Sequence, residues 1–214
     1  MCLDITMKTD IVVVGGGPAG MMAAIAAAEN GGQVCLLEPN ERLGKKLNIT
    51  GKGRCNVTNN CSVEELLRNT PCNGRFLYSA FSQYDPSDVM ALFEMLGVPL
   101  KTERGNRVFP VSDRAFDISG ALEKYLRQLD VKLVRDRAKA LILRDGALAG
   151  VKGEREDYES DRVIIATGKK HGITAVLVYS GETTREDVAN ASPEERPDAA
   201  FQDLGDVDRL MFGE

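Results

Sequence analysis

The chain has 214 residues, 43% of them hydrophobic and 28% charged, which suits a soluble globule of one domain or one and a half. Its formal net charge of −5 is unevenly placed: residues 1–168 carry 22 basic and 22 acidic side chains, and residues 169–214 carry 5 and 10. There is therefore no basic face for nucleic acid, and no apolar run is long enough to span a membrane. A strand is expected soon after Asp10, and no signal peptide is expected ahead of it. The cysteines at 2, 35, 55, 61 and 72 are odd in number and form no C-x-x-C pair. Reduced thiols and a cytoplasmic location are expected, with no metal site. The N-x-[ST] triplets at Asn48, Asn56 and Asn60 carry no meaning in that compartment.

In chain order, Ile11 to Val14 is a β-branched run suited to a buried parallel strand. Gly15 to Gly17 make a turn, Ala19 to Asn30 an Ala-rich helix that Gly31 and Gly32 stop, and Val34 to Leu37 a second strand. Together these form a βαβ unit. From Pro39 to about Asn60 runs a long Gly-, Lys- and Asn-rich connection, of a length that is usually functional or disordered. Helices are expected over Ser62 to Arg68, Pro86 to Leu96 and Asp117 to Leu129, with a short strand or turn at "RVFP". "VKLV", "AKALILRDGALAGVKG" and "DYESDRVIIATG" predict a strand, a hairpin turning at Asp145-Gly146, and a strand. The run Val163 to Ala166 repeats the character of Ile11 to Val14 and is expected beside it in one sheet. After Gly168 the pattern is strand (Ile173 to Val178), Gly-rich turn, helix from about Thr184, short strand "AAF" and a last helix.

Gly15-x-Gly17-x-x-Gly20 follows a strand and opens a helix, which is the context of a dinucleotide fingerprint. Gly15 permits the tight turn, Gly17 lets backbone approach a pyrophosphate, and Gly20 lets the helix pack closely on the strand. The helix N-terminus offers free N–H groups to the anion. Glu38 ends the second strand, 18 residues after Gly20, where a carboxylate accepts bonds from ribose hydroxyls and repels a 2′-phosphate. The glycines alone do not separate FAD from NAD. The absence of a regular third βα unit, and the return through a β-meander, lean to FAD.

"GGGPAGMMAAIAAAENGGQVCLLEPNERLGKKLNITGKGRCNVTN", "GNRVFPVSDRAFDI" and "DRVIIATG" resemble the bacterial NAD(P)/FAD-dependent oxidoreductases, a flavoprotein family with bile-acid-reductase-like and aminoacetone-oxidase-like members. The resemblance covers roughly residues 8–168, and "LGKKLNITGKGRCNVTN" is its most specific part. It implies an α/β, Rossmann-like FAD-binding domain over 1–168, with a parallel sheet, a βαβ start and a β-meander. It implies that Gly15, Gly17, Pro18, Ala19 and Gly20 hold the pyrophosphate and Glu38 the ribose. Lys46 and the loop Gly51, Gly53, Arg54, Cys55, Asn56 would lie along the flavin. Ala138 would offer its backbone to adenine, and Thr167 and Gly168 would close over the dinucleotide. Arg54 suits a phosphate or a reduced-flavin anion, or is a solvated loop charge. Cys55 is a redox partner of the flavin or a small buried side chain.

The family's second glycine after "ATG", its substrate domain and its late return to the sheet are not found, so the domain reads as truncated. Residues 169–214 instead resemble the C-terminal end of haloacid dehalogenase superfamily phosphatases, through "GKKHGITAVLVYSGETT" and "PD…F". This short α/β tail lacks that superfamily's Asp-x-Asp after a strand: Asp206-x-Asp208 falls in the expected last helix. His171, the single histidine, reads as a surface turn residue. The chain is thus read as a fusion, joined near Gly168.

Three functions stay open: a truncated FAD-dependent oxidoreductase domain taking electrons from NADH or NADPH, an NAD-dependent dehydrogenase, and a non-catalytic nucleotide-binding module. No catalytic residue is assigned and the small-molecule substrate is unknown. Loss of the return strand would expose a sheet edge, giving self-association unless Ile173–Val178 covers it.

Overall fold

A computed structural model describes residues 6–70, 74–166, 176–178 and 199–201. In chain order the elements are β1 (Thr6–Lys8), β2 (Ile11–Val14), α1 (Pro18–Glu29), β3 (Val34–Leu37), β4 (Thr58–Asn59), α2 (Val63–Arg68), α3 (Tyr78–Gln83), α4 (Pro86–Met95), β5 (Leu100–Glu103), β6 (Arg107–Pro110), α5 (Ala115–Gln128), β7 (Lys132–Val134), β8 (Ala138–Arg144), β9 (Ala147–Gly153), β10 (Asp157–Glu159), β11 (Val163–Ile165), β12 (Val176–Val178) and β13 (Ala199–Phe201). Short 3-10 turns lie at Leu47–Gly53 and Gly74–Leu77. The chain divides into two compact units, residues 1–43 with 125–189 and 197–214, and residues 44–124 with 190–196.

In the first unit β11, β2, β3 and β7 form an all-parallel sheet in that order. The expected pairing of Val163–Ile165 with the first glycine-turn strand is present, in the register Val163↔Val12 to Ile165↔Val14. A second sheet runs β1-β10-β9-β8, antiparallel except for the β1–β10 pair. Side chains alternate along a strand, so the parallel sheet has two faces. Val12, Val14, Cys35 and Leu37 pack with Leu141, Val151 and Tyr158 of the meander. Val13 and Leu36 fall on the opposite face, and Met21, Ala24 and Ile25 of α1 are buried there with them. Helix, parallel sheet and meander are thus three layers, and burying both faces explains why β2 and β3 read as unbroken apolar runs.

Local signals set the boundaries. Pro18 begins α1 with its fixed φ. Gly31, at φ 84°, ends it, and the N–H groups of Gly31 and Gly32 donate to Ala28 and Ala27 carbonyls. Asp145 and Gly146 both have positive φ, the primed turn that suits the twist of the β8–β9 hairpin.

The second unit holds the three-stranded antiparallel sheet β4-β6-β5 with α2, α3 and α4 and most of α5. Ser62 caps α2 by accepting from Glu65 N–H, and Asp85 and Asp88 form a capping box on α4. Helix α5 starts two residues before the expected Asp117, at Ala115.

β12 and β13 pair with each other in parallel, as a sheet of their own. Among the described residues, 176–178 pair with 199–201 and with neither four-stranded sheet. Residues 173–175, His171, the helices expected after Thr184, and Asp206 and Asp208 lie outside the described residues. Among the described residues no helix is long and apolar enough to cross a membrane.

Candidate dinucleotide site

The glycine turn between β2 and α1 is built by steric necessity. Gly15 has φ 106°, a conformation that L side chains rarely adopt, and its N–H donates to the Leu37 carbonyl at 2.9 Å. A Cβ on Gly20 would collide with the Gly15 carbonyl oxygen and reach 3.3 Å from Ala166 Cβ, so α1 lies directly on the turn. Gly17 is the N-cap of α1, with φ −74°, ψ 178° and no side-chain cap. A Cβ there would meet nothing within 4 Å. Pro18 and Ala19 are exposed at the same end. Open space, an uncapped first turn and the positive end of the helix dipole coincide, which is the shape and charge an anionic pyrophosphate requires.

Glu38 stands beside this turn. One carboxylate oxygen accepts from Gly16 N–H at 2.8 Å, and the other accepts from Asn40 N–H at 2.9 Å and from the Asn40 side-chain amide. Its backbone N–H donates to the Val134 carbonyl of β7 at 3.0 Å. The carboxylate is therefore fixed between the glycine turn and Asn40, half-buried, with lone pairs left for hydroxyl donors, while the backbone of Glu38 is tied to the end of β7.

Four residues after Val134, Ala138 opens β8, an edge strand. Glu154 N–H donates to the Arg137 carbonyl at 2.9 Å, so the facing residues Ala138 and Gly153 are a non-hydrogen-bonded pair. The N–H and C=O of Ala138 then point away from β9, to the open edge. A strand edge offering one donor and one acceptor matches the edge of adenine, whose ring nitrogen accepts and whose amino group donates.

Sequence reasoning missed the group that shapes this connection. Asp136 is 3% exposed, and its carboxylate accepts from Arg137 N (2.7 Å), Glu154 N (3.2 Å), Arg155 N (3.2 Å) and the Tyr158 hydroxyl (2.9 Å). Burial pushes its pKa up, but the bonds from Tyr158 and the backbone N–H groups outweigh that and hold it below the usual carboxylate range. Burial and the neighbouring Asp136 raise the Tyr158 phenol well above its ordinary value. The only signal in the sequence was an Asp at a strand-to-strand connection, a position where carboxylates often bind local backbone.

The Gly-rich segment lies in the second unit. Gly51, Lys52, Gly53 and Cys55 have φ of 55°, 59°, 85° and 58°. A non-glycine residue held there is strained, and such strain concentrates at functional loops. Several bonds fix the loop. Cys55 N–H donates to the Thr50 carbonyl at 3.1 Å, and Val57 N–H to the Val108 carbonyl at 2.8 Å. With its amide nitrogen facing them, Asn56 donates to the Thr58 (3.0 Å) and Val108 (3.2 Å) carbonyls. Arg54 Nε donates to Asp113 Oδ1 at 2.8 Å, and Nη2 to Glu103 Oε1 at 2.5 Å. The guanidinium also lies 4.2 Å from the centre of the Phe109 ring. Lys101 completes a quartet, 2.7 Å from Asp113. Lys46 is exposed just ahead of the loop. Cys55 is 3% exposed, and burial raises its pKa, which makes its thiol a poor nucleophile.

The structure thus brings Gly15, Gly17, Pro18, Ala19, Gly20, Glu38 and Ala138 together in one unit, and Lys46, Gly51, Gly53, Arg54, Cys55 and Asn56 in the other. Thr167 and Gly168 lie outside the described residues. Among the described residues no group of three or more His, Cys, Asp or Glu could hold a metal.

The family model of the HI0933-like protein Rossmann domain matches residues 9–174. The chain belongs to this HI0933-like family. The match continues six residues past Gly168, where two resemblances were expected to meet. Among curated relatives, the 3-dehydro-bile acid delta(4,6)-reductase of Clostridium scindens is 35% identical over 163 residues, covering 75% of this chain and 39% of the relative. The digeranylgeranylglycerophospholipid reductase of Methanoculleus marisnigri is 32% identical over 173 residues, covering 74% and 38%. The HI0933-like chain therefore spans under two fifths of the length of these relatives. Among solved structures, the apo Sdh1 complex of Mycobacterium smegmatis shares the fold with a TM-score of 0.61 at 23% identity, covering 88% of this chain and 38% of that one.

Proposed function

We propose that this chain binds FAD and is the dinucleotide-binding part of a flavin-dependent oxidoreductase. The observation that carries this reading is the placement of Glu38. Its carboxylate accepts from the glycine turn, and its backbone N–H donates to the end of β7, four residues before the open Ala138 edge. Pyrophosphate at Gly15, Gly17, Pro18, Ala19 and Gly20, ribose at Glu38 and adenine at Ala138 then follow one another along a single unit. The antiparallel meander in place of a third βα unit supports FAD over NAD. The Glu38 carboxylate disfavours a 2′-phosphate at this position.

By the resemblance of the Gly-rich segment, Lys46, Gly51, Gly53, Arg54, Cys55 and Asn56 serve the flavin end, and Thr167 and Gly168 close the site. The bound flavin would supply two-electron transfer, with NADH or NADPH as the donor. The reductase names of the relatives support a reductive reaction.

Equilibrium titration of the purified chain with FAD and with NAD⁺ tests the proposal. The expected result is saturation at one FAD per chain, with no displacement by NAD⁺. Saturable NAD⁺ binding without affinity for FAD would overturn it in favour of a dehydrogenase. Binding of neither would leave a non-catalytic module.

A further inference from the structure

Asp136 is a buried carboxylate served wholly by dipoles. Its four donors come from the β7–β8 connection (Arg137 N), the β9–β10 turn (Glu154 N and Arg155 N) and β10 (the Tyr158 hydroxyl). Among the described residues it forms no salt bridge. Each oxygen accepts two bonds, so only an ionised carboxylate satisfies all four donors. An Asn would turn its own NH₂ toward two of them. The surroundings are shaped to admit this group: a Cβ on Gly153 would collide with Asp136 Oδ2 and lie 2.8 Å from the Tyr158 ring.

What Asp136 fixes is the start of β8. Its bonds to Arg137 N and Glu154 N lock the two residues that make the first cross-strand bond, from Glu154 N–H to the Arg137 carbonyl. That bond makes Ala138–Gly153 a non-hydrogen-bonded pair and turns the Ala138 N–H and C=O to the open edge. The ladder also slips between Ala138 and Ala140, so the strand has no regular register to hold this end by itself. Tyr158 is 0% exposed in the core beneath the connection and anchors the carboxylate from below.

We propose that Asp136, anchored by Tyr158, is the positioning residue that aims the Ala138 backbone at the adenine ring and so gives the site its preference for adenine over other purines. This rests on the reading of the Gly15–Gly20, Glu38 and Ala138 site as an adenine dinucleotide site. Asp136 touches no ligand itself. It acts through the donor and acceptor of Ala138, which fit adenine and mismatch hypoxanthine, whose ring N1–H donates and whose 6-oxo group accepts.

The test is calorimetric titration of the full chain, freed of nucleotide, with ADP and with inosine 5′-diphosphate. The wild type is expected to prefer ADP by about tenfold, the worth of one well-placed hydrogen bond. Asp136→Asn and Tyr158→Phe should bring that ratio toward one, whereas Glu38→Ala should weaken both nucleotides and leave the ratio intact. A folded Tyr158→Phe or Asp136→Asn protein with the wild-type ratio would overturn the proposal while leaving the site standing. A wild type that binds neither nucleotide would overturn the site reading itself, and the proposal with it. If the substitutions prevent folding, amide NMR of the wild type decides. ADP should shift the Ala138 N–H and inosine 5′-diphosphate should not, and an Ala138 resonance indifferent to ADP would sink the proposal.

Discussion

Gly17 and Gly20 lie in the same motif, yet alanine at each should fail for a different reason. At Gly20 the added methyl meets the Gly15 carbonyl oxygen and Ala166 Cβ, and backbone cannot rotate out of the way as a side chain can. Overpacking of this kind costs about 1–3 kcal/mol. The better helix propensity of alanine returns up to ~1 kcal/mol. The net loss is about 1–2 kcal/mol, which for a chain of this size lowers Tm by roughly 2–8 °C. At Gly17 the methyl meets nothing within 4 Å, and φ −74°, ψ 178° is open to any residue. Gly17→Ala should therefore stay within about 0.5 kcal/mol of the wild type. It fills the space proposed above for the pyrophosphate, so FAD affinity should fall by at least about tenfold, or ~1.4 kcal/mol. Thermal unfolding by circular dichroism and FAD titration read the two effects separately. A Gly17→Ala protein that binds FAD as the wild type does, or one that loses as much stability as Gly20→Ala, would refute the reasoning.

Glu38→Ala should weaken FAD by about tenfold or more, since a hydrogen bond to a charged group contributes roughly 1.5–3 kcal/mol; titration checks it, and an unchanged affinity would count against a ribose at Glu38. The Arg54 quartet carries a pH dependence. The Arg54 bond holds Glu103 below the usual carboxylate range, and the Lys101 and Arg54 bonds do the same for Asp113. A lowered folded pKa means that the stabilisation is complete above the unfolded values and is lost as pH falls through the folded ones. The Arg54 Nε–H resonance should accordingly titrate with a midpoint below that of free Asp or Glu, and a midpoint at or above it would contradict the clamp. Gly146→Val forces a β-branched residue to φ 79° at the hairpin tip and should lower stability by about 1–2 kcal/mol in urea unfolding, without changing FAD affinity.

The parts of this fold written in local chemistry were legible in the sequence. The β-branched run Ile11–Val14, the three glycines, the stop at Gly31 and the Asp145-Gly146 turn each declare themselves within a few residues. Strands of mixed character did not: three of the four residues of "LKTE" in β5 are polar, and β4 is two residues long. The site divides in the same way. Glu38 was visible by its spacing from the glycines. Asp136 was not, because its partners Glu154, Arg155 and Tyr158 lie 18, 19 and 22 residues away. Arg54 was visible as a charge in a glycine-rich segment. Its partners Glu103 and Asp113, 49 and 59 residues on, bind the guanidinium in a clamp that no local pattern announces. The long connection after Pro39 likewise hid that residues 44–124 form a unit of their own.

The most direct test of the account is the flavin content of the full chain purified without added cofactor, or after incubation with FAD and removal of the excess. Heat-released flavin is quantified against protein and separated to tell FAD from FMN. The account predicts FAD near one per chain, with a visible flavin spectrum. A folded, colourless chain that takes up no FAD would contradict it.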